Sequence, residues 1–364
     1  MKLTTKIARM STVTISMLFV TMLIYYIFSF NATSKKYSSS TNDQGIENEF
    51  PINGKAPKQK NLKAALVSLV RNSDLIPLIK TIRQVDDRFN RKFNYPIILL
   101  NDEPFTKEFK KKVQSITKAN ITFGLVEGES WGYPPWIDQE KAKKERETAN
   151  YIYAKSESYR FMCRFQSGYI FRHPLLKDLD YYWRIEQDTN YFCDIDYDPF
   201  RFMKDNNKMY GWTIAFWEFM PTVRTLWDKV DEFMKKYPQH IPETNIIEFV
   251  KDSRGYNGCH FWTNFEIVDL RLYRSQAYLD FFDYLDKSGG FFYERWGDAP
   301  VHSIAASIFL RKEQIHFFSD IGYSHPGAAG HCPKDSEMKG VCHCDPNKDN
   351  IIENHCAKHW LKLQ

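Results

Sequence analysis

The run Leu62-Lys63-Ala64-Ala65-Leu66-Val67-Ser68-Leu69-Val70 constrains the fold more than any other feature of the chain. A short, almost continuous apolar segment is what a strand buried on both faces requires, as in a parallel sheet covered by helices. The helix follows at once. After Arg71-Asn72, Ser73 stands where a helix cap belongs, and Leu75, Ile76, Leu78, Ile79, Ile82, Val85 and Phe89 recur at helical spacing. The unit then repeats: Tyr95 to Leu100 reads as a second strand closed by Asn101-Asp102-Glu103-Pro104, a helix-like stretch runs to Val113, and Ile121 to Leu125 reads as a third strand. Alternation of this kind predicts an α/β fold, a mixed sheet flanked by helices. Asp138 to Arg164, charged and without Pro or Gly, predicts one long helix. Tyr181 to Ile185 and Met209 to Phe216 read as further strands, and Phe281 to Tyr284 belongs to a helix that runs out at Gly289-Gly290.

Ahead of this domain, Lys2, Lys6 and Arg9 precede an uncharged stretch from Ser11 to Phe30. Roughly 20 such residues cross a bilayer as a helix. The stretch ends in Tyr25, Tyr26, Phe28 and Phe30, an interfacial aromatic belt and not the small residues of a cleavage site. The expectation is one transmembrane signal-anchor at 11–30, with a cytoplasmic tail at 1–10 because basic charge gathers before the span. Residues 31–60, rich in Ser, Thr, Asn, Lys and Pro, read as a luminal stalk, and 61–364 as a luminal catalytic domain. Two sequons, Asn31-Ala32-Thr33 and Asn120-Ile121-Thr122, fall on that side. Seven cysteines in an oxidising lumen imply disulfides and one free thiol. A zinc knuckle among Cys332, Cys342, Cys344 and Cys356, with their interleaved histidines, is the alternative. The net charge of +5 is spread without a basic block, which argues against a nucleic-acid partner, and no G-x-G-x-x-G or P-loop sequence is present.

Ligands of open α/β sheets bind beyond the carboxyl ends of the strands. Glu186 and Asp188 stand there, two residues apart, so that in an extended segment both carboxylates face one side and converge on a hard divalent cation; a solvated turn is the bland reading. Glu266 is a lone carboxylate among Phe261, Trp262, Phe265 and Ile267, which makes it either catalytic or a structural acceptor of hydrogen bonds. Glu294 to Pro300 mixes charge, aromatics and chain breakers as a ligand-binding loop does. His325 lies in a turn, while His302 and His316 are equivalent to it by spacing alone. Aromatic residues, 16% of the chain, gather near the acidic positions, as in Trp131-Gly132-Tyr133-Pro134-Pro135-Trp136, where they serve sugar stacking or core packing. Arg71, at the turn after the first strand, is a candidate contact to the nucleotide half of a donor.

Five ordered segments, YRFMCRFQSG (Tyr159 to Gly168), YYWRIEQD (Tyr181 to Asp188), NGCHFWTNFEI (Asn257 to Ile267), ERWGDAPVHS (Glu294 to Ser303) and YSHPG (Tyr323 to Gly327), resemble the fungal Golgi α-1,2-mannosyltransferase family. The resemblance runs from about Lys60 to the carboxyl end, and the anchor and stalk share the family's layout. It implies a GT-A type nucleotide-sugar-binding fold, GDP-mannose as donor, Mn2+ as cofactor, and transfer of mannose onto a mannose-terminated N- or O-linked glycan with retention of configuration. It also implies a single-pass type II Golgi membrane protein. By motif, Glu186, Asp188 and His325 correspond to the metal site, Tyr159 and Asp298 to the donor site, and Glu266 to the family's proposed nucleophile. Gln187 departs from the family's Glu-Pro-Asp, losing a fixed φ while both carboxylates remain. Two routes to retention stay open, a covalent mannosyl-Glu266 intermediate or a front-face displacement. Transfer of mannose 1-phosphate and a non-catalytic glycan-binding role are the other readings of the same resemblance.

Overall fold

The computed structural model describes residues 61–325, 329–335, 337–349, 351 and 354–363. The expected anchor, stalk and first sequon, and Pro326-Gly327 of the YSHPG segment, lie outside the described residues. No helix among the described residues is long and apolar enough to cross a membrane.

In chain order the strands are β1 (Ala64–Leu69), β2 (Ile97–Asn101), β3 (Ile121–Leu125), β4 (Tyr181–Arg184), β5 (Asn190–Tyr191), β6 (Tyr210–Trp212), β7 (Ala215–Trp217), β8 (Lys251–Asp252), β9 (Gly255–Tyr256), β10 (Cys259–Phe261), β11 (Glu266–Asp269), β12 (Ile315–Phe317), β13 (Tyr323–His325) and β14 (Ala329–His331). The helices that matter here are α1 (Leu75–Val85), α2 (Lys107–Gln114), α3 (Gln139–Thr148), α4 (Glu157–Gly168), α5 (Pro199–Asp205), α6 (Leu226–Lys236), α7 (Gln276–Ser288), α8 (Asp298–Phe309) and α9 (His355–Lys362).

The main sheet is mixed, with the order β12-β6-β11-β4-β1-β2-β3. β1 pairs in parallel with β2 and β4, and β2 with β3, whereas β11 runs antiparallel between β4 and β6. Its two faces account for the apolar continuity of β1. Ala65 and Val67 join the core on one side and Ala64 and Leu66 the core on the other. Such a strand has no solvent face to mark with polar residues.

Three expectations are corrected. Asp138 to Arg164 is not one helix: α3 ends at Thr148 and α4 begins at Glu157. Each has its own cap, Asp138 accepting from the Lys141 N–H and Ser156 from the Tyr159 N–H. A helical break needs neither Pro nor Gly when a serine is placed to start the next helix. Met209 to Phe216 is likewise two strands, β6 in the main sheet and β7 in a separate pair with β10. Ser73 lies inside a 3-10 turn, Asn72–Asp74, that precedes α1, and it does not cap the helix.

The cysteines form disulfides: Cys193–Cys342, Cys259–Cys356 and Cys332–Cys344, leaving Cys163 as a buried free thiol. All four cysteines of the zinc alternative are therefore consumed. The sulfurs of the carboxyl-terminal segment clamp it onto β10 and onto the loop after β5.

Candidate active site

Parallel neighbours end at the same edge of a sheet, so β1, β2 and β4 deliver Arg71, Asp102 and Glu186 to one place. A cleft of about 790 Å³ opens there, and these three residues are among its lining. Tyr159 reaches it from α4, Asp298 from the start of α8 and His325 from the end of β13. Five of the sequence-predicted site residues, Arg71, Tyr159, Glu186, Asp298 and His325, thus converge on one cleft, with Gln187 beside them. Asp188 does not line it: it is exposed and takes a left-handed conformation (φ 64°) in the turn after β4.

Arg184 organises the floor. Its side chain is 8% exposed and lies between two carboxylates, with Nε donating to Glu186 Oε1 at 2.6 Å and Nη1 to Asp298 Oδ2 at 2.5 Å. Thr263 Oγ1 adds a donor to the same Asp298 oxygen at 2.6 Å. Burial alone pushes Asp298 upward, but Arg184, His302 and the Thr263 hydroxyl outweigh it and hold the carboxyl below its ordinary value. For Glu186 burial wins over Arg184 and leaves it above the usual range. A cation placed beside Glu186 would remove that penalty, which is how a carboxylate in a metal site behaves.

The cleft wall carries polar atoms without partners. Gln166 Oε1, Gln187 Oε1, Asn264 Nδ2 and Arg295 Nε are buried, belong to cleft-lining residues and have no hydrogen-bond partner among the described residues. Orphaned buried donors and acceptors are rare in proteins, and a polar ligand satisfies them. Arg295 also stands over the Tyr159 ring, 5.2 Å from its centroid. Arg71 Nη2 donates to Ser158 Oγ at 2.7 Å, tying the turn after β1 to the start of α4. His325 packs against Trp262, with ring centroids 4.8 Å apart. Among the described residues no group of three or more His, Cys, Asp or Glu side chains is gathered closely enough to hold a metal by itself.

Glu266 occupies a different position. It opens β11 opposite Arg184 of β4, has no exposed surface and is not part of the cleft lining. Tyr182 donates to Oε1, while Tyr210 and Tyr273 donate to Oε2 at 3.0 and 3.3 Å. Burial, then the Glu266 charge, pushes all three phenols well above their ordinary values, so they remain donors. His302 Nδ1 lies 3.1 Å from Oε2, and its Nε2 faces the Gln166 carbonyl at 3.1 Å. Nε2 thus faces an acceptor, while Nδ1 stands between Glu266 Oε2 and the Tyr273 hydroxyl, which is 2.8 Å away. His316, by contrast, lies in β12 away from the cleft, its pKa pushed down by burial to about 4.

Sequence reasoning missed Arg184, Glu218 and Trp217 as site residues. Arg184 had a legible signal, a lone cation inside the buried run Tyr181 to Ile185, which demands counter-charge. Glu218 and Trp217, both in the lining, had none: they follow a strand that the sequence does not separate from its predecessor.

A family model described as glycolipid 2-alpha-mannosyltransferase matches residues 28–364. Glycolipid 2-alpha-mannosyltransferase 1 of Candida albicans is 53% identical over 313 residues, spanning 84% of this chain and 71% of the relative. Among solved structures, core-mannan synthase A from Aspergillus fumigatus in its Mn/GDP form superposes with a TM-score of 0.80 at 37% identity, covering 89% of this chain and 92% of that one. The mannosyltransferase Ktr4p from S. cerevisiae in complex with GDP does so with a TM-score of 0.79 at 37% identity, covering 89% and 86%.

Proposed function

The chain belongs to the glycolipid 2-alpha-mannosyltransferase family, and on that premise we propose that it transfers mannose from GDP-mannose to a mannose-terminated N- or O-linked glycan, forming an α-1,2 linkage with retention of configuration. The observation that carries this reading is the cleft itself. Glu186 and His325 line it beside Asp298 and Tyr159, with four partnerless polar atoms left for a polar ligand. Relatives whose names and structures involve mannosyl transfer, GDP and Mn support the choice of donor and ion.

Glu186 and His325 would hold Mn2+, with the donor's diphosphate completing its oxygen shell, and Asp188, exposed two residues beyond Glu186, is the third proposed ligand. The ion supplies charge neutralisation of the leaving diphosphate. Arg71 is assigned to the nucleotide half of the donor, Tyr159 to its phosphates, and Asp298 to its sugar side. Arg184 keeps Asp298 ionised and aimed by sharing its guanidinium between Asp298 and Glu186.

Of the two retaining routes, the burial of Glu266 favours the front-face one. A carboxylate with no exposed surface, three phenol donors and an imidazole against its oxygens is poorly placed to attack carbon, and well placed to lend fixed negative potential to an oxocarbenium-like transition state. The acceptor hydroxyl then bonds to the anomeric carbon on the side from which the phosphate departs, and its proton passes to the departing phosphate oxygen. We assign the chain to the Golgi membrane, anchored through residues 11–30 with the catalytic domain luminal.

The test is incubation of the full-length chain, in detergent, with GDP-mannose and mannobiose, with and without EDTA, followed by linkage analysis. An EDTA-sensitive α-1,2-linked product is expected. A phosphodiester in the product assigns mannosylphosphate transfer instead, and absence of transfer in the presence of Mn2+ overturns the reading.

A further inference from the structure

Trp217 is 51% exposed although it ends a strand, and it is held from three sides. β7 pairs antiparallel with β10, which sets Trp217 opposite Cys259. Cys259 is bonded to Cys356 in the first turn of α9. The preceding residue, His355, stacks on the indole, ring centroids 5.3 Å apart and planes 18° from parallel. The next backbone N–H, that of Glu218, donates to the Gly258 carbonyl at 2.8 Å. An indole with one face covered by an imidazole and half its surface open presents its other face. Trp217 is part of the cleft lining, together with Phe219, which is 52% exposed, and Glu218 between them.

A large apolar ring fixed in the open has no stabilising role in the core, whereas a sugar has one face of C–H groups that an aromatic face removes from water. The nucleotide half of the donor is assigned to Arg71, in the turn after β1, whereas Trp217 ends β7 next to Phe216, which packs on Trp262 (4.7 Å between centroids), itself packed on His325 (4.8 Å).

We propose that Trp217 and Phe219 form a platform for the mannose residues of the acceptor that lie behind the reacting one, with Glu218 accepting from their hydroxyls. The proposal rests on the mannosyl-transfer reading and adds to it a preference for acceptors longer than a single sugar.

The experiment measures KM for methyl α-mannoside and for an α-linked mannotriose with the full-length enzyme, W217A, W217F and F219A. The wild type is expected to bind the trisaccharide more tightly than the methyl glycoside. W217A should raise KM for the trisaccharide about three- to ten-fold, the scale of one lost aromatic contact, and so bring the ratio of the two KM values toward one. W217F, which keeps a ring on His355, should retain most of the gain, and F219A, at an exposed site that does not carry the strand, should lose part of it. A wild-type enzyme without mannosyl transfer fails the functional reading and the platform with it. An active wild type whose KM ratio is one, or is unmoved by both W217A and F219A, overturns the platform alone.

Discussion

Glu266 and His302 face one another at 3.1 Å, and neither side chain has any surface exposed. The pair closes a cage whose other members, Tyr182, Tyr210 and Tyr273, are all donors. A carboxylate so held is fixed in place, and a fixed carboxylate is what its proposed role as charge stabiliser uses. Glu266→Gln keeps the shape and removes the charge. We expect transfer to fall at least about 100-fold, the loss seen when a preorganised charge-stabilising group is removed, while GDP binding, measured by calorimetry, persists. Near-normal turnover of the variant would show that the charge takes no part.

The metal assignment is separable from that one. Glu186→Ala and His325→Ala remove the only carboxylate and imidazole that the proposal places on the ion from inside the cleft. Each is expected to raise the Mn2+ concentration for half-maximal activity by about ten-fold or more, in line with a lost metal ligand. If the Mn2+ titration of either variant overlays the wild type, that residue is not a ligand. Asp188→Ala, at an exposed position, tests the third proposed ligand by the same titration.

How much of this was legible in the sequence follows from what is local. β1, β2 and β4 are apolar runs because both faces are covered, and a run is visible without knowing its neighbours. The loop from Ala149 to Ser156 was not visible, since it contains neither Pro nor Gly and only Ser156 marks the new helix. Yet this loop supplies Ile152, Tyr153 and Ser156 to the cleft. The motif carboxylates were found because each sits in a conspicuous segment. The cage around Glu266 was not, because Tyr182, Tyr210, Tyr273 and His302 come from β4, β6, the turn before α7 and α8, and meet only through the order of the sheet.

Arg184 gives a stability prediction with a definite pH sign. Arg184→Met leaves Asp298 and Glu186 buried without their shared cation, and breaking a buried pair in this way costs about 3–5 kcal/mol. In the wild type the depressed Asp298 contributes stability that is fully present above its unfolded value and lost only as pH falls through the lower folded value. In the variant burial is opposed only by His302 and the Thr263 hydroxyl at Asp298 and has lost Arg184 at both carboxyls, so folding is penalised while they are charged and the penalty lifts as they protonate. Urea unfolding should therefore show the largest gap between the two proteins near neutral pH and a smaller one in acid. A gap that does not narrow on acidification would place the loss in packing.

The last expectation joins the disulfides to the site. Cys259 and Cys356 are 97 residues apart, and replacing both with alanine frees a long loop in the unfolded chain; the expected loss is about 2–5 kcal/mol in urea unfolding. The local effect is distinct, because the same bond seats His355 under Trp217. If the platform works through a fixed indole, the double variant should lose the trisaccharide's KM advantage while still folded, at temperatures well below its own midpoint. A second pair provides the control. Removing Cys332–Cys344, only 12 residues apart and away from β7, frees a much shorter loop, should lower stability less, and should leave the KM ratio where it is in the wild type. Equal effects of the two disulfides on that ratio would mean that general loosening, and not the seating of Trp217, governs acceptor length.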